Sequence, residues 1–382
     1  MNGSAEIHPA RNLGMLIGNG LSLAFNPELN IRLISEEIIR RVRQDAGDKD
    51  ADAIATAMQR AAAATGGGNP MLDFEVLVGA FVTEGSFMER LHELASYIDP
   101  SDAELSAAFE RIASFSESLR WRGVSHVLEV VAERTVASLD LKADLNTFVD
   151  LVLNNYGGTI TVGNLNYDTL VLSSLMENHA SEFCDLALGY NPATISFDGG
   201  QRFSIYKLRT ALNFPNARRV RLLNLHGSLT WWRNSADDSV YKFPVEEVRR
   251  PTIWSTIREL DYDEGWYPEV VLANQSSKVH QVLRPPFSLA YDGLRRGLEM
   301  SDDWMVVGYS FRDVSVNALL REAFDTKTNR PNVLVVTKGE FPTRGEIEQA
   351  FSWSLAQGAS ASWLRIQRDV LTPTENRARN AN

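Results

Sequence analysis

Two kinds of hydrophobic spacing divide this chain. Short apolar runs, each ending in small or polar residues, occupy residues 13–17 (LGMLI), 159–164 (TITVGN), 220–227 (VRLLNLHG), 304–310 (WMVVGYS) and 332–338 (NVLVVTK). Runs that stay apolar instead of alternating predict strands buried on both faces of a parallel sheet. From residue 31 to 155 the spacing becomes helical. Ile31, Leu33, Ile34, Ile38, Ile39 and Val42 recur at three- and four-residue intervals, with Glu and Arg between them. Residues 50–65 are alanine-rich and predict a helix stopped by TGGGNP at 65–70. Further helices are predicted over 71–98, 101–140 and 143–155, and Ser101 with Glu104 has the spacing of a capping box. Beyond residue 158 strands alternate with helices, one through Leu170 and Leu175 and one near 345–355, before a loose end over 369–382.

Strand followed by helix or loop, repeated, predicts an α/β fold: a doubly wound, Rossmann-like parallel sheet with a large helical insertion. The expected organisation is a single domain over 1–382, its core built from 1–30 plus 156–356, its helical insertion from 31–155, and a C-terminal tail over 357–382.

Composition narrows the function classes. The 382 residues are 44% hydrophobic and 23% charged, ordinary globular usage with room for a sizeable core. No apolar run approaches the length of a membrane span, and the opening MNGSAEIHPARN lacks the basic-then-apolar order of a signal peptide, so a cytoplasmic protein is expected. A formal charge of −11 argues against direct nucleic-acid binding. The basic stretch at 217–223 and the pair Arg249-Arg250 read as a strand edge and a solvated loop. One cysteine, Cys184, excludes an intrachain disulfide and a four-cysteine zinc site, and no metal is expected.

In an open parallel sheet, ligands bind beyond the carboxyl ends of the strands, so four polar tips carry the candidate chemistry. GNGLS, from Gly18 through Asn19, Gly20 and Leu21 to Ser22, bends the backbone where a pyrophosphate could approach the following helix start. Its bland reading is a turn. The second tip, GNLNYDT, presents Asn166 and Asp168 on alternate positions, hence on one side, where an amide and a carboxylate could orient a ribose and a water. Asp168 could equally cap the next helix. The third, LNLHGSLTWW, presents His226 before Gly227; a near-neutral imidazole suits proton abstraction from a sugar hydroxyl, although a lone histidine can be purely structural. Trp231 and Trp232 read as core or cleft wall. The fourth, VVGYSFRD, offers Gly308 and Ser310 as a second nucleotide-contacting turn and Asp313 as a helix cap.

Together the four tips resemble the sirtuin superfamily, and more closely its divergent, zinc-free bacterial branch. GNGLS is similar to the family's G-A-G-x-S turn; LNYD presents Asn166 and Asp168 at the spacing of T-x-N-x-D, with Asn164 where the threonine would stand; His226-Gly227 matches the H-G pair; GYSFRD corresponds to the G-T-S turn in its longer form. The resemblance implies an NAD pocket, with Gly18, Asn19, Gly20, Ser22, Gly308, Ser310 and Asp313 contacting the dinucleotide and Asn166, His226 and Asp168 carrying the reaction. The four-cysteine zinc module of protein-deacylating sirtuins is absent from this sequence. Sirtuin-like proteins of this kind are similar to the NAD-degrading effectors of bacterial antiphage systems, which often work with a partner such as a HerA-type ATPase, a short Argonaute or a nucleotide sensor.

The leading expectation is therefore an NAD⁺ glycohydrolase, gated as an antiphage effector and assembled as a homo-oligomer or with a HerA-type partner. Two alternatives remain at this stage. A zinc-free protein deacylase would need an acyl peptide as well as NAD⁺. A non-catalytic nucleotide-sensing subunit would bind NAD⁺ or ADP-ribose without turnover.

Overall fold

The computed structural model describes residues 10–46, 124–136, 142–196, 202–259, 265–271 and 275–369. The helices expected over 50–65 and 71–98, most of that over 101–140, and the capping box at Ser101 lie outside them.

A seven-stranded parallel sheet organises the described residues, in the order β12-β11-β10-β1-β2-β6-β3. Its strands are β1 (Leu13–Ile17), β2 (Ile160–Asn164), β3 (Phe183–Cys184), β6 (Val220–Asn224), β10 (Asp303–Val307), β11 (Asn332–Thr337) and β12 (Leu364–Arg368). The first two are buried at every position, as unbroken apolar runs require when both faces are covered. Side chains from one strand then feed two different cores. In β1, Leu16 joins one cluster while Leu13, Met15 and Ile17 join another. The parallel, doubly wound sheet anticipated from the strand spacing is thus present.

Helices α1 (Asn19–Phe25) and α2 (Ile31–Ala46) follow β1. A helical stretch over residues 124–136, α3, precedes α4 (Lys142–Asn155) and α5 (Leu170–Asn178). Buried Leu145, Val149, Val152 and Leu153 repeat at helical intervals and pack α4 in the cluster of Met15 and Ile17. Short helices α6 (Val245–Val248), α7 (Pro251–Glu259) and α8 (Gln275–Gln281) come next. The opposite face of the sheet carries α9 (Phe287–Glu299), α10 (Val314–Asp325) and α11 (Arg344–Ala350). Helix α9 lies close against β2: a Cβ built on Gly297 would stand 2.4 Å from Thr161 Cβ.

Three features depart from the sequence reading. An antiparallel sheet, β4-β5-β8-β7-β9, sits between β3 and β10 in the chain: β4 (Pro192–Ser196), β5 (Arg202–Lys207), β7 (Gly227–Asn234), β8 (Val240–Lys242) and β9 (Trp266–Val270). The β7–β9 pairing is irregular between Gly227 and Trp232, and only Leu225 and His226 separate β6 from β7, so the sequence scarcely marks the change of sheet. Trp231 and Trp232 lie in β7, fully buried in different clusters, and Trp232 stacks on Phe243 with centroids 5.0 Å apart. Second, the tail expected from residue 357 begins with ordered structure, because β12 closes one edge of the parallel sheet against β11. Third, Arg249 is not a solvated loop residue: it is half-buried and donates to Thr169 Oγ1 and Ser173 Oγ at the start of α5, 2.9 Å from each.

Candidate functional site

The strand order reverses at β1. The chain winds from β1 through β2 to β6 and β3 on one side, then returns to β10, β11 and β12 on the other. Such a switch point opens a crevice between the diverging loops of β1 and β10. Here those loops interlock. Gly18 N–H donates to Val307 O and Gly20 N–H to Gly308 O, each at 2.9 Å. A Cβ on Gly18 would meet Gly308 O at 2.6 Å, one on Gly20 would meet Gly308 Cα at 2.6 Å, and one on Gly308 would meet Leu21 N at 2.3 Å. Gly308 also holds a φ of +63°, where side chains are strained. Backbone contact between the two turns therefore accounts for all three glycines.

Behind the first turn lies a buried polar network. Ser22, on α1, donates to Asp168 Oδ2 at 2.6 Å and accepts from Asn166 Nδ2 at 2.8 Å. The Asn166 amide also donates to Gly18 O at 3.2 Å. Asp168 Oδ1 accepts from Leu170 N–H at 3.0 Å, so Asp168 does tie down the start of α5 while facing Ser22. Asn166 and Asp168 project to the same side, as their alternate positions suggest, since both reach one hydroxyl. Asn164 holds the strand tip: its Nδ2 bridges Asn166 O at 3.1 Å and Asn224 Oδ1 at 3.0 Å. Burial raises the Asp168 carboxyl above the ordinary carboxylate range despite the bonds from Ser22 and Leu170.

The neighbouring strand carries a charged cluster. Asn164 and Asn224 are paired across β2 and β6, and Leu225 N–H donates to Asn164 O at 2.8 Å. Asn166 and His226 each stand two residues beyond those paired asparagines, so they leave the sheet at the same edge. His226 occupies the turn from β6 into β7, where Gly227 has a φ of +87° and a Cβ would strike Glu269 O at 2.3 Å. The His226 carbonyl accepts from Val271 N–H at 2.9 Å. Its Nε2 lies 3.3 Å from Asp313 Oδ2 and 3.4 Å from Tyr291 Oη of α9. Lys278 of α8 places Nζ 2.8 Å from the same Asp313 oxygen.

Asp313 caps α10 through Oδ1, which accepts from Val316 N–H at 3.0 Å. Burial alone would raise its carboxyl, but His226 and the Lys278 ammonium outweigh burial and hold it well below the usual carboxylate range. The single Tyr309 hydroxyl proton is shared between Asn317 Oδ1 at 2.8 Å and Asp313 O at 3.2 Å, pinning the loop, and Phe311 within it has a φ of +57°.

No family model and no curated protein matches the chain. The chain is similar to a solved structure described as "Structural Basis for the Mechanism and Regulation of Sir2 Enzymes", at 14% identity over 66% of this chain and 75% of that one, with a TM-score of 0.33. The fold assignment rests on the order and direction of the strands themselves.

Of the residues expected at the site, Gly18, Gly20 and Gly308 meet directly, and Ser22, Asn166 and Asp168 form one network beside them. His226 and Asp313 form a separate pair. Ser22 commits its hydroxyl to Asp168 and Asn166, not to an open phosphate cradle. Asn19 is half-buried and Ser310 exposed on the two turns. Sequence reading missed Lys278 and Tyr291. Lys278 sits in QSSKVHQ, which carries no motif, and Tyr291 lies on an amphipathic helix where one tyrosine gives no signal. Among the described residues no group of three or more His, Cys, Asp or Glu could hold a metal ion, and no helix is long and apolar enough to cross a membrane.

Proposed function

We propose that the protein is an NAD⁺ glycohydrolase, releasing nicotinamide and ADP-ribose. One observation carries this reading: at the carboxyl edge of the parallel sheet, a buried network of Ser22, Asn166 and Asp168 stands at the tip of β2, and His226, paired with Asp313, leaves the adjacent β6 at the same level. Cleavage of the bond between nicotinamide N1 and ribose C1′ builds positive charge on the ribose, and nicotinamide departs as a neutral ring. The protein must hold the ribose, place a water and remove that water's proton.

In this reading Asn166 orients the ribose and water, and His226 accepts the proton as the water oxygen bonds to C1′. Asp168 supports the positive charge and, through Ser22, fixes the Asn166 amide. The Gly18–Gly20 backbone, Asn19, Gly308 and Ser310 are assigned to the phosphates and the adenosine ribose. Asn166, Asp168 and His226 are only 6%, 7% and 4% exposed, so this conformation must open before a dinucleotide reaches them. That burial supports gated activity, as does the toxicity of unrestrained NAD⁺ loss. An antiphage effector released by a partner such as a HerA-type ATPase or by self-association fits such a gate.

Purified protein incubated with NAD⁺ alone, with products identified, tests the proposal. Wild type should yield nicotinamide and ADP-ribose without an acyl peptide. His226→Ala and Asn166→Ala should each lower the rate at least ~100-fold with unchanged folding. Full activity in either folded variant overturns the assignment; turnover only with an acylated peptide favours a deacylase.

A further inference from the structure

We propose that Asp313 is the positioning residue of His226, fixing the imidazole with its proton on Nε2 and its lone pair on Nδ1, and that Lys278 tempers this carboxylate. The inference deepens the glycohydrolase reading and rests on it for the chemistry, whereas the pairing itself is a property of this chain.

The two oxygens of Asp313 do different work. Oδ1 is fixed by Val316 N–H at the head of α10, so the carboxylate cannot turn freely. Oδ2 is thereby aimed at His226 Nε2, 3.3 Å away. The loop behind it is held by Tyr309, whose hydroxyl proton is shared between the Asp313 carbonyl and Asn317. A neutral imidazole carries one ring proton, and a carboxylate beside Nε2 favours placing it there. The other nitrogen is then the basic one. A helix cap alone would need neither the buried lysine nor the histidine on the second oxygen.

Lys278 explains how such a histidine can act as a base. A bare carboxylate beside a buried imidazole favours the protonated ring, which cannot accept another proton. The ammonium of Lys278, 3% exposed and 2.8 Å from Oδ2, offsets that pull. Among the described residues, the charged and titratable groups facing His226 include Asp313 from the start of α10, Tyr291 from α9 and, through Asp313, Lys278 from α8. Asp313 and Lys278 therefore act on the imidazole in opposite directions.

The test uses the full chain with ¹⁵N- and ¹³C-labelled histidine, the His226 signals being assigned by their loss in His226→Gln. Asp313→Asn retains an oxygen for the α10 cap but removes the charge, and Lys278→Met removes the ammonium. Wild type should show the Nε2–H form of neutral His226. Its titration midpoint should fall by ~1 pH unit in Asp313→Asn and rise in Lys278→Met. In cleavage assays Asp313→Asn should lose ~10- to 100-fold in kcat with KM within ~2-fold, the pattern of a lost transition-state contribution. An unchanged midpoint and tautomer in Asp313→Asn overturns the proposal whatever the cleavage rate. If Asp313→Asn does not fold, Lys278→Met decides: a raised midpoint supports the pairing and an unchanged one overturns it. Opposite midpoint shifts in a protein that cleaves no NAD⁺ support the pairing and reject the glycohydrolase.

Discussion

Asp168 and Asp313 are both buried carboxylates at strand tips, each 7% exposed, yet their surroundings push them in opposite directions. Asp168 is met by a hydroxyl and a backbone amide, neutral donors that do not offset its burial, so its carboxyl is raised above the ordinary range. Asp313 is met by a lysine and a histidine, which keep it ionised. The difference separates two tasks. A buried carboxylate held by neutral donors suits the orientation of a ribose and the support of charge that develops on it. A charged cluster suits proton handling, where the energies of the two protonation states must be set.

The β1 and β10 turns beside the two carboxylates interlock through the glycine contact, so the most disruptive test is there. Gly308→Ala combines positive φ with a 2.3 Å approach to Leu21 N and should cost about 3 kcal/mol of stability in urea unfolding. A loss below 0.5 kcal/mol, as ordinary surface changes give, would mean that the turns are not coupled this way. A smaller effect belongs to Ser22→Ala, which removes the hydroxyl from Asp168 Oδ2 and leaves the Asn166 amide only Gly18 O, while His226 is untouched. It should cost about 1–2 kcal/mol and lower NAD⁺ cleavage while leaving the His226 titration in place. Movement of the His226 midpoint would erase the distinction between the two carboxylates.

The smallest effect is the pH dependence. Asp168 has its native pKa raised, so its ionisation opposes folding at neutral pH and protonation relieves this as pH falls through the native value. Asp313, with its native pKa lowered, stabilises above the unfolded value near ~3.9 and loses that contribution only as pH falls further. Asp168→Asn should therefore gain on wild type at pH 7 and lose that advantage on acidification. A gap that stays constant with pH would place both carboxylates in the same class.

Much of this arrangement was legible from local pattern. The five apolar runs became parallel strands because strands buried on both faces need no alternation, and helical spacing at Ile31–Ala46 and Lys142–Asn155 survived because each helix has one face to bury. The tips could be located because glycine, asparagine and histidine interrupt otherwise unbroken apolar runs. The antiparallel sheet was hidden because only Leu225 and His226 separate β6 from β7, and the change of direction at His226-Gly227 is a property of backbone angle. Lys278 was hidden for another reason. Its meaning comes entirely from Asp313, thirty-five positions later in the chain, and no local pattern encodes a contact at that distance.

The glycine contact also bears on how this protein can vary. A methyl group on Gly18 or Gly20 would claim space held by Gly308, and one on Gly308 would strike Gly20 and Leu21, although Gly20 and Gly308 stand 288 positions apart. None can change alone without displacing the opposite turn. The trio is one steric constraint written in two distant places, and a variant library that samples either place singly would score both as intolerant.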